Sequence, residues 1–435
     1  MEDFKIIHDA IHGSIKFEGV TLRLLETPEM QRLSGIKQLG LGYLVFPGAN
    51  HTRLEHSIGV GYVAGRMGEV LNLPKEEVEL LKAAGMLHDL GHSPFSHTLE
   101  YLLYEKTKLD HMEITTQIIK GKMDLLEGLE IEGRERIHEI LEDYSLDTEK
   151  ICDMILGKTK EMTLEDFEKG KEFFGDEKNY LVNMISGSLD ADQLDYLLRD
   201  AHYTGVAHGA IDFPRILHTL KIKNGELMVD KKGVPALEGM LVARALMYSA
   251  VYFHKTNRIG ELMLSRAVEE IEMDNWLEIY RYNDSELISL LLSREGYPKE
   301  IALRLKYRRL FKKAIVRTFD ELEGEYGEEY KTVLLRLCDL KERRKMEREI
   351  AEAAEIDEKY VLIDIPSRNV ILSEPRLTKT NVKIVDGDHV YPLSKFSPLA
   401  KALQNRKVQD WAIMVATPKE YVEKIKKVAE RIIFS

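Results

Sequence analysis

Apolar residues recur at intervals of three and four along most of the chain, a spacing that puts them on one face of an α-helix. Thr27 is a suitable N-cap for the first helical stretch. The helices predicted in this way lie at Ser57–Leu71, Lys75–Leu87, 111–125, 132–156, 178–204 and 237–272. Charged helices follow to about residue 356, so the pattern predicts a mainly α protein with a large helical body.

Alternation of apolar and polar residues, typical of strands, replaces the helical spacing in three places. Residues 1–20 include the β-branched stretch KIIHDAIHGSIKF, and residues 217–236 alternate around Asn224-Gly225, a strong hairpin turn signal. After Tyr360, KYVLIDIP and WAIMVAT are typical of buried strands, and PKEYVEKIKKVAERI of an amphipathic helix. These segments predict small β-hairpins on the body and a small C-terminal α/β module.

Composition is that of an ordinary soluble globular protein, with 435 residues of which 44% are hydrophobic and 31% charged. A net charge of −12 argues against stable binding to nucleic acid or to an anionic membrane. The sequence shows no run of about 18 apolar residues and no signal-peptide pattern, so we expect no membrane helix. Two cysteines cannot form a disulfide framework, which suits a cytoplasmic location.

The adjacent pair His88-Asp89, in the run AAGMLHDLGHSPFSH, is the strongest chemical signal. An Asp buried among apolar neighbours is costly unless it is paired, and a metal ion would pair it. His56 and Asp192 complete a candidate set, although charge alone does not separate Asp192 from other acidic residues of its helix. Imidazoles with carboxylates accept Mg, Mn, Fe, Ni or Zn, so one divalent metal ion is expected. The alternative is that each His is a hydrogen-bonded core residue.

Three longer motifs, in the same order along the chain, resemble the HD-domain phosphohydrolase superfamily. They are HTRLEHSIGVGYVAGRM, LHDLGHSPFSH and DADQLDYLLRDAHYTG, with further matches in DAIHG, TPEMQRL, IKQLG, VFPGANHTR and YFHK. Within that superfamily the chain is similar to the dNTP triphosphohydrolases related to the animal sterile-alpha-motif/HD-domain protein. The resemblance covers about residues 5–260.

The resemblance implies a role for each matching position. The metal ligands would be His56, His88, Asp89 and Asp192. The catalytic residues would be His92, His97, Glu100 and His111, with His97 and His111 moving protons. The substrate-binding residues would be Gln38, Leu39, Arg53, Tyr196, Asp200, Arg244 and Tyr252. Lys255 and Arg258 are further cationic candidates for phosphate contacts.

The chain departs from the family pattern at one of these positions and at two others. Glu100 stands where the animal enzyme has Asp, and Gln193 stands where it has a phosphate-binding Lys. Ser34 replaces an Arg that contacts a nucleotide effector in activated members. Gln193 weakens the expectation of a triphosphate substrate, and Ser34 weakens that of nucleotide activation.

The predicted organisation is an HD phosphohydrolase core at 1–220, a hairpin and helical extension completing the active site at 221–355, and the α/β module at 356–435. The expected activity is hydrolysis of a dNTP to a deoxynucleoside and triphosphate. The alternatives are an HD hydrolase of nucleoside monophosphates or of cyclic or ppGpp-type nucleotides, and a non-catalytic nucleotide-sensing scaffold. A homo-oligomer, either dimer or tetramer, is the expected assembly.

Overall fold

The structure is a computed structural model, which describes residues 4–158, 178–365, 382–404 and 411–434. Helices dominate these residues, and the prediction of a mainly α protein with small sheets is confirmed. The helices of the first half are α1 (Gly19–Glu26), α2 (Pro28–Arg32), α3 (Arg53–Val70), α4 (Lys75–Leu87), α5 (Ser96–Thr107), α6 (His111–Ile119), α7 (Ile137–Asp143), α8 (Thr148–Leu156), α9 (Asn179–Ser186), α10 (Ala191–Thr204) and α11 (Phe213–Thr219).

The second half adds a further set of helices. They are α12 (Val234–Met247), α13 (Lys255–Glu269), α14 (Asp284–Ser293), α15 (Tyr297–Lys306), α16 (Phe319–Tyr326), α17 (Glu329–Leu337), α18 (Leu340–Ala354), α19 (Pro398–Gln404) and α20 (Val422–Ile433). The helix predicted over 237–272 is divided, because a π-helical turn at Tyr248–Tyr252 separates α12 from α13. π-helical turns are rare in proteins, and those that occur often lie at functional sites.

Helix ends follow from local capping chemistry. The Thr27 side chain accepts the backbone N–H of Met30, so the predicted N-cap is present at the start of α2. Helix α3 begins four residues earlier than predicted, because Thr52 and Glu55 form a reciprocal capping box ahead of Arg53. This early start brings Arg53 and His56 into the same helix.

Helices α3 and α4 cross so closely that only glycine fits at the contact. A Cβ on Gly85 would lie 2.9 Å from the Val60 carbonyl oxygen and 3.0 Å from backbone atoms of Gly61. A Cβ on Gly59 would lie 1.9 Å from the Asp195 carboxylate of α10. The small residues of α3 therefore let two neighbouring helices approach its backbone, and these three helices carry the metal-ligand candidates.

Three small sheets lie on the body. A hairpin pairs β1 (Phe4–Asp9) with β2 (Gly13–Glu18), and a second hairpin pairs β3 (Leu220–Lys223) with β4 (Glu226–Asp230). Asn224 and Gly225 both have positive φ, as a two-residue hairpin turn requires. The remaining strands are β5 (Lys312–Arg317), β6 (Leu362–Asp364), β7 (Lys383–Asp386), β8 (His389–Pro392) and β9 (Ile413–Thr417).

Strand pairing crosses the predicted domain boundary at residue 356. Strand β7 pairs in parallel with β4, giving a sheet in the order β3-β4-β7-β8 that joins the central hairpin to the C-terminal part of the chain. The second hydrophobic core begins near Ile315, well before residue 356, and surrounds the sheet β5-β9-β6. Strand β5, which lies in the predicted helical extension, thus shares a sheet with strands of the predicted C-terminal module, and the domain bounds stay a prediction.

One segment of the described chain, Lys231–Tyr252, is long and apolar enough to span a membrane by length and composition alone. The sequence criterion of an uninterrupted apolar run had passed over it. More than half of its most apolar window is buried inside the protein, and the segment contains Arg244, which is also buried. These are properties of a core helix.

We expect Gly85→Ala to lower the free energy of unfolding by about 1–3 kcal/mol, because the added methyl meets backbone atoms of α3 that no side-chain rotation can clear. Gly239→Ala is the matched control: this exposed glycine lies in α12 with no atom within 4 Å of the added Cβ. The free energy of unfolding of the control should be unchanged or higher by up to about 1 kcal/mol. Urea unfolding of both variants measures the difference, and equal stabilities would contradict the close crossing.

Candidate active site

A cavity of about 860 Å³ lies between the first helices and the α12–α13 region. Every predicted metal-ligand, catalytic and substrate-binding residue except Glu100 lines it, and Glu100 lies in a smaller cavity that shares His92 and His111. The chain thus brings together residues that are as much as 214 positions apart, from Gln38 to Tyr252. The volume is sufficient for a nucleotide-sized molecule.

Three helices present the metal-ligand candidates. His56 lies at the start of the second turn of α3, and His88 is the C-cap residue directly after α4. Asp192 lies in the first turn of α10, whose N-cap Asp190 accepts the backbone N–H of Gln193. The side chains converge because α4 and α10 both pack on the small residues of α3.

Ligand atoms of His56, His88 and Asp192 lie within 4.8 Å of one another. The distance from His56 Nε2 to Asp192 Oδ1 is 3.0 Å, and that from His88 Nε2 to Asp192 Oδ1 is 4.0 Å. Asp89 lies outside that triad but beside it, with Oδ1 at 3.2 Å from His88 Nε2 and Oδ2 at 4.0 Å from His56 Nε2. Two imidazole nitrogens and a carboxylate oxygen at this spacing suit one divalent ion.

The Nδ1 atoms of His56 and His88 both bond to neighbouring protein groups, which leaves both Nε2 atoms directed at the centre of the triad. His56 Nδ1 lies 2.8 Å from Asp195 Oδ2, and His88 Nδ1 lies 2.7 Å from the carbonyl oxygen of Gly85. Such outer hydrogen bonds fix the tautomer and orientation of metal-binding histidines. This donor set fits a metal ion better than it fits a pair of simple core histidines.

Asp195 is one of the acidic residues that charge alone could not separate from Asp192. It is fully buried, and it bonds to His56, His12 Nε2 at 2.7 Å and the Arg199 guanidinium. Burial opposes its charge, yet Arg199 and the two imidazoles hold its pKa well below the usual value. Its role is therefore to orient His56, and the Asp-to-Arg spacing of four residues was the available sequence signal.

The pKa of His56 reports the same negative surroundings. Burial disfavours the imidazolium, but hydrogen bonds with Asp192 and Asp195 outweigh that effect and raise the pKa to about 10. The protein therefore stabilises a positive charge at this position. A divalent ion supplies such a charge when it replaces the proton.

Arg53 joins the metal-ligand candidates to the predicted catalytic residues. Its Nη1 donates to Asp89 Oδ2 at 2.5 Å, its Nε donates to Ser96 Oγ at 2.6 Å, and its Nη2 lies 3.3 Å from His97 Nε2. The side chain is 2% exposed, so these bonds fix the guanidinium on the cavity wall. Asp89 consequently keeps a low pKa in spite of its burial.

A cluster of three histidines and Glu100 occupies the next part of the wall. Glu100 Oε1 lies 2.5 Å from His111 Nδ1 and Oε2 lies 3.3 Å from His97 Nδ1, so the longer side chain reaches both rings. Burial opposes protonation of His111, but Glu100 outweighs it and raises the His111 pKa. His92 stacks on His111 at 4.2 Å, and burial with nearby Arg53 lowers its pKa well below the usual value. The cluster therefore pairs a proton donor with a neutral imidazole.

Gln193 connects Asp190 to Arg244. Its Nε2 donates to Asp190 Oδ2 at 3.0 Å, and its Oε1 accepts from Arg244 Nη1 at 3.2 Å. Arg244 is buried, and its guanidinium lies 5.6 Å from the ring of Tyr248, a cavity residue in the π-helical turn. Gln193, which departs from the family pattern, thus bonds to Arg244, the predicted phosphate-binding arginine. Tyr248 is a cavity residue that sequence reasoning missed.

Asp200 lines the same cavity about two helical turns along α10 from Asp192. Its Oδ2 accepts the Tyr252 hydroxyl at 2.7 Å, and its Oδ1 lies 2.7 Å from His51 Nε2. Gln38 and Leu39 lie on the same cavity. His51 was not among the predicted site residues, because an isolated histidine gives no signal in sequence. Tyr196 packs against Tyr252, with ring centres 6.1 Å apart.

The two further cationic candidates differ in placement. Arg258 lines the cavity, but its Nε donates to Asp364 at 2.8 Å and its Nη1 donates to Glu261 at 2.9 Å. Lys255 is not among the lining residues, and its Nζ lies 5.3 Å from the Trp411 ring. Asp364 and Trp411 belong to the C-terminal part of the chain, which therefore supports this wall.

Asp284 is a further residue that sequence reasoning missed. It accepts the backbone N–H of Phe95 at 2.7 Å and that of Lys37 at 2.9 Å, so it joins the segments that carry His97 and Gln38. Phe95 has a positive φ of 50°, an unfavourable conformation for a bulky residue that this bond supports. Burial raises the pKa of the Asp284 carboxyl to about 6.

Residues 53–200 match the family model of the HD domain, and residues 211–434 match that of the HD associated region. The second match alone covers more than half of the chain. The chain belongs to the HD-domain phosphohydrolase superfamily. Family membership supports hydrolase chemistry for it and a divalent metal ion in the His/Asp cluster.

Relatives agree with this assignment. An uncharacterized protein from Methanocaldococcus jannaschii is 35% identical over 97% of this chain and 81% of its own length. Human deoxynucleoside triphosphate triphosphohydrolase SAMHD1 is 31% identical over 72% of this chain and 55% of its own length. The chain therefore spans about half of the length of the SAMHD1 proteins that it matches.

Solved structures share the fold. A hypothetical protein from Aquifex aeolicus has a TM-score of 0.72 and 30% identity, covering 98% of this chain and 99% of that one. A phosphohydrolase from Bacteroides thetaiotaomicron has a TM-score of 0.69 with 23% identity, covering 95% of this chain and 100% of that one. The second similarity establishes the fold alone.

We expect His88→Ala to remove bound metal from the purified protein, because the triad would keep one imidazole and one carboxylate. His8→Ala is the matched control, since His8 is an exposed residue of β1. Metal content by inductively coupled plasma mass spectrometry should fall only in the His88 variant. An unchanged content in that variant would exclude His88 as a ligand.

Proposed function

We propose that the protein is a metal-dependent dNTP triphosphohydrolase, which converts a dNTP and water to a deoxynucleoside and inorganic triphosphate. One observation carries the proposal: a single cavity is lined both by the metal-ligand candidates with buried Arg53, His97 and His111, and by the Asp200–Tyr252 pair, whose Asp200 lies about two helical turns along α10 from Asp192. A nucleotide could present its phosphates to the first group and its sugar to the second. The SAMHD1 relatives, which are triphosphohydrolases by name, support this choice of substrate.

His56, His88, Asp89 and Asp192 would hold the metal, which in hydrolases of this kind polarises a phosphate oxygen and activates water. Arg53 would neutralise charge that develops on the α-phosphate, and its fixed position means that little reorganisation is needed in the transition state. Tyr196 and Arg244 would contact the outer phosphates, and Leu39 with Tyr252 would close the space beside the sugar 2′-carbon.

His111 is suited to protonate the departing oxygen. Glu100 raises the pKa of His111, which favours the protonated ring, and it holds that ring through a 2.5 Å bond. His97 shares the same carboxylate and lies next to Arg53, so the two rings and Glu100 form one proton-handling unit. His92, held neutral by burial, would stay an uncharged wall residue.

A second candidate is an HD hydrolase of nucleoside monophosphates or of cyclic or ppGpp-type nucleotides. The Gln193 contact favours it, because a neutral amide occupies the position of a phosphate-binding Lys and already bonds to Arg244. Fewer free cations would then face the outer phosphates of a triphosphate.

A cytoplasmic location and a dimeric or tetrameric assembly stay predictions.

The deciding experiment presents dNTPs, NTPs, dNMPs and cyclic nucleotides to the purified protein with Mn²⁺ or Mg²⁺. Chromatography should detect tripolyphosphate and deoxynucleoside in equal amounts from dNTPs. Orthophosphate from monophosphates would support the second candidate instead. Nucleotide binding without turnover under any metal would support the non-catalytic scaffold.

We expect Glu100→Gln to move the basic limb of the pH profile of kcat/KM to lower pH, by about 1–3 units. Glu100 raises the pKa of His111, so its loss lowers that pKa and deprotonates the acid earlier as pH rises. Glu105→Gln is the matched control, because it removes one carboxylate from the same helix. In the described part of the chain Glu105 bonds to Lys108 and to neither histidine. A basic limb that stays in place in the Glu100 variant would exclude His111 as the acid.

A further inference from the structure

His51 lies behind the sugar end of the cavity, where it bonds to Asp200. The distance from His51 Nε2 to Asp200 Oδ1 is 2.7 Å, and both side chains are buried. We propose that His51 is a positioning residue that fixes Asp200 for recognition of the sugar 3′-hydroxyl. The inference rests on the proposed nucleotide substrate, and it assigns a role to a residue that would not contact that substrate.

Asp200 is held from two sides by donors on different oxygens. The Tyr252 hydroxyl donates to Oδ2 at 2.7 Å, and the His51 ring bonds to Oδ1. Each carboxylate oxygen can accept a second hydrogen bond, so the pair of donors fixes the plane of the group and leaves acceptor capacity. Because Asp200 lines the cavity, that capacity is available to a hydroxyl of a bound molecule.

The His51 ring is itself immobilised. It stacks on Tyr203 with ring centres 4.6 Å apart and planes within 14°. The Tyr203 hydroxyl donates to Glu55 Oε1 at 2.8 Å, and the other oxygen of Glu55 caps the start of α3. The ring plane is therefore tied to the same helix start that carries Arg53 and His56.

The hydrogen-bonding pattern of the ring indicates one tautomer. Nε2 faces a carboxylate, which can only accept when ionised, so Nε2 carries a hydrogen. Nδ1 is buried and has no hydrogen-bond partner among the described parts of the chain. The ring thus makes one directed bond, to Asp200, and a side chain that supplies only that donor can replace it.

A rigid acceptor gives selectivity as well as affinity. A buried site built to bond a hydroxyl discriminates against an analogue that lacks it, because its polar group is then left unpaired. A hydrogen bond to a charged group is strong enough for a preference of roughly 10-fold or more. If His51 fixes the carboxylate, loss of its donor should reduce this preference more than it reduces phosphate binding.

The test uses a dATP analogue that cannot be cleaved, with its 5′-oxygen replaced by CH₂, and the matching analogue without the 3′-hydroxyl. Both are titrated calorimetrically against the metal-loaded full-length protein. His51→Phe keeps a ring to stack on Tyr203 but has no donor, and His51→Gln restores a donor near the Nε2 position. His202→Gln, an exposed residue two positions after Asp200, is the matched control.

The wild type, His51→Gln and His202→Gln should prefer the 3′-hydroxyl analogue by roughly 10-fold or more, and His51→Phe should lose most of that preference. A preference that persists in His51→Phe, or that is absent in the wild type, would overturn the inference. If His51→Phe does not fold, as checked by thermal unfolding, His51→Leu takes its place. Because neither analogue can be cleaved, the result stands apart from the turnover assay: a protein that hydrolyses no dNTP can still show or lack the preference.

Discussion

The buried carboxylate of Asp195 is the interaction on which the site depends. It lies where α10 crosses α3, in space that exists because Gly59 has no side chain, and it bonds to His56, His12 and Arg199. A carboxylate with no access to water must be compensated by partners, and here the partners come from the β1–β2 turn, α3 and α10. The same bonds that make its burial tolerable direct His56 at the centre of the cavity.

Arg53 gives the site a second level of order. One guanidinium contacts Asp89 on the metal side and His97 on the proton-transfer side, so the two halves of the proposed chemistry share a rigid group. Glu100 does the same for His97 and His111. Since each shared group is fixed by at least two bonds, the relative positions of the reacting side chains are set by the folded protein before any substrate binds.

Sequence reasoning succeeded where the signal is local. Helical spacing, the Thr27 cap and the Asn224-Gly225 turn were readable because the interactions that cause them lie within a few residues. The His88-Asp89 pair was informative because an acid beside apolar residues needs a partner. His51, Asp195 and Asp284 could not be assigned, since their roles depend on which helix faces meet; Asp284 bonds to a residue 247 positions away. The parallel pairing of β4 with β7 was hidden for the same reason.

The order of the strands has a consequence for the synthesis of the chain. Strand β9 lies between β5 and β6, yet it is the last of the three to leave the ribosome, and β7 and β8 likewise come after the hairpin that they extend. The edges of β4, β5 and β6 therefore stay unpaired while more than a hundred residues of helical core are already able to fold. Asp364 accepts from Arg258, and Trp411 donates to Asp364, only at the end of this process. The cavity wall is thus completed last, and an interrupted nascent chain would hold the HD motif without the enclosure around it.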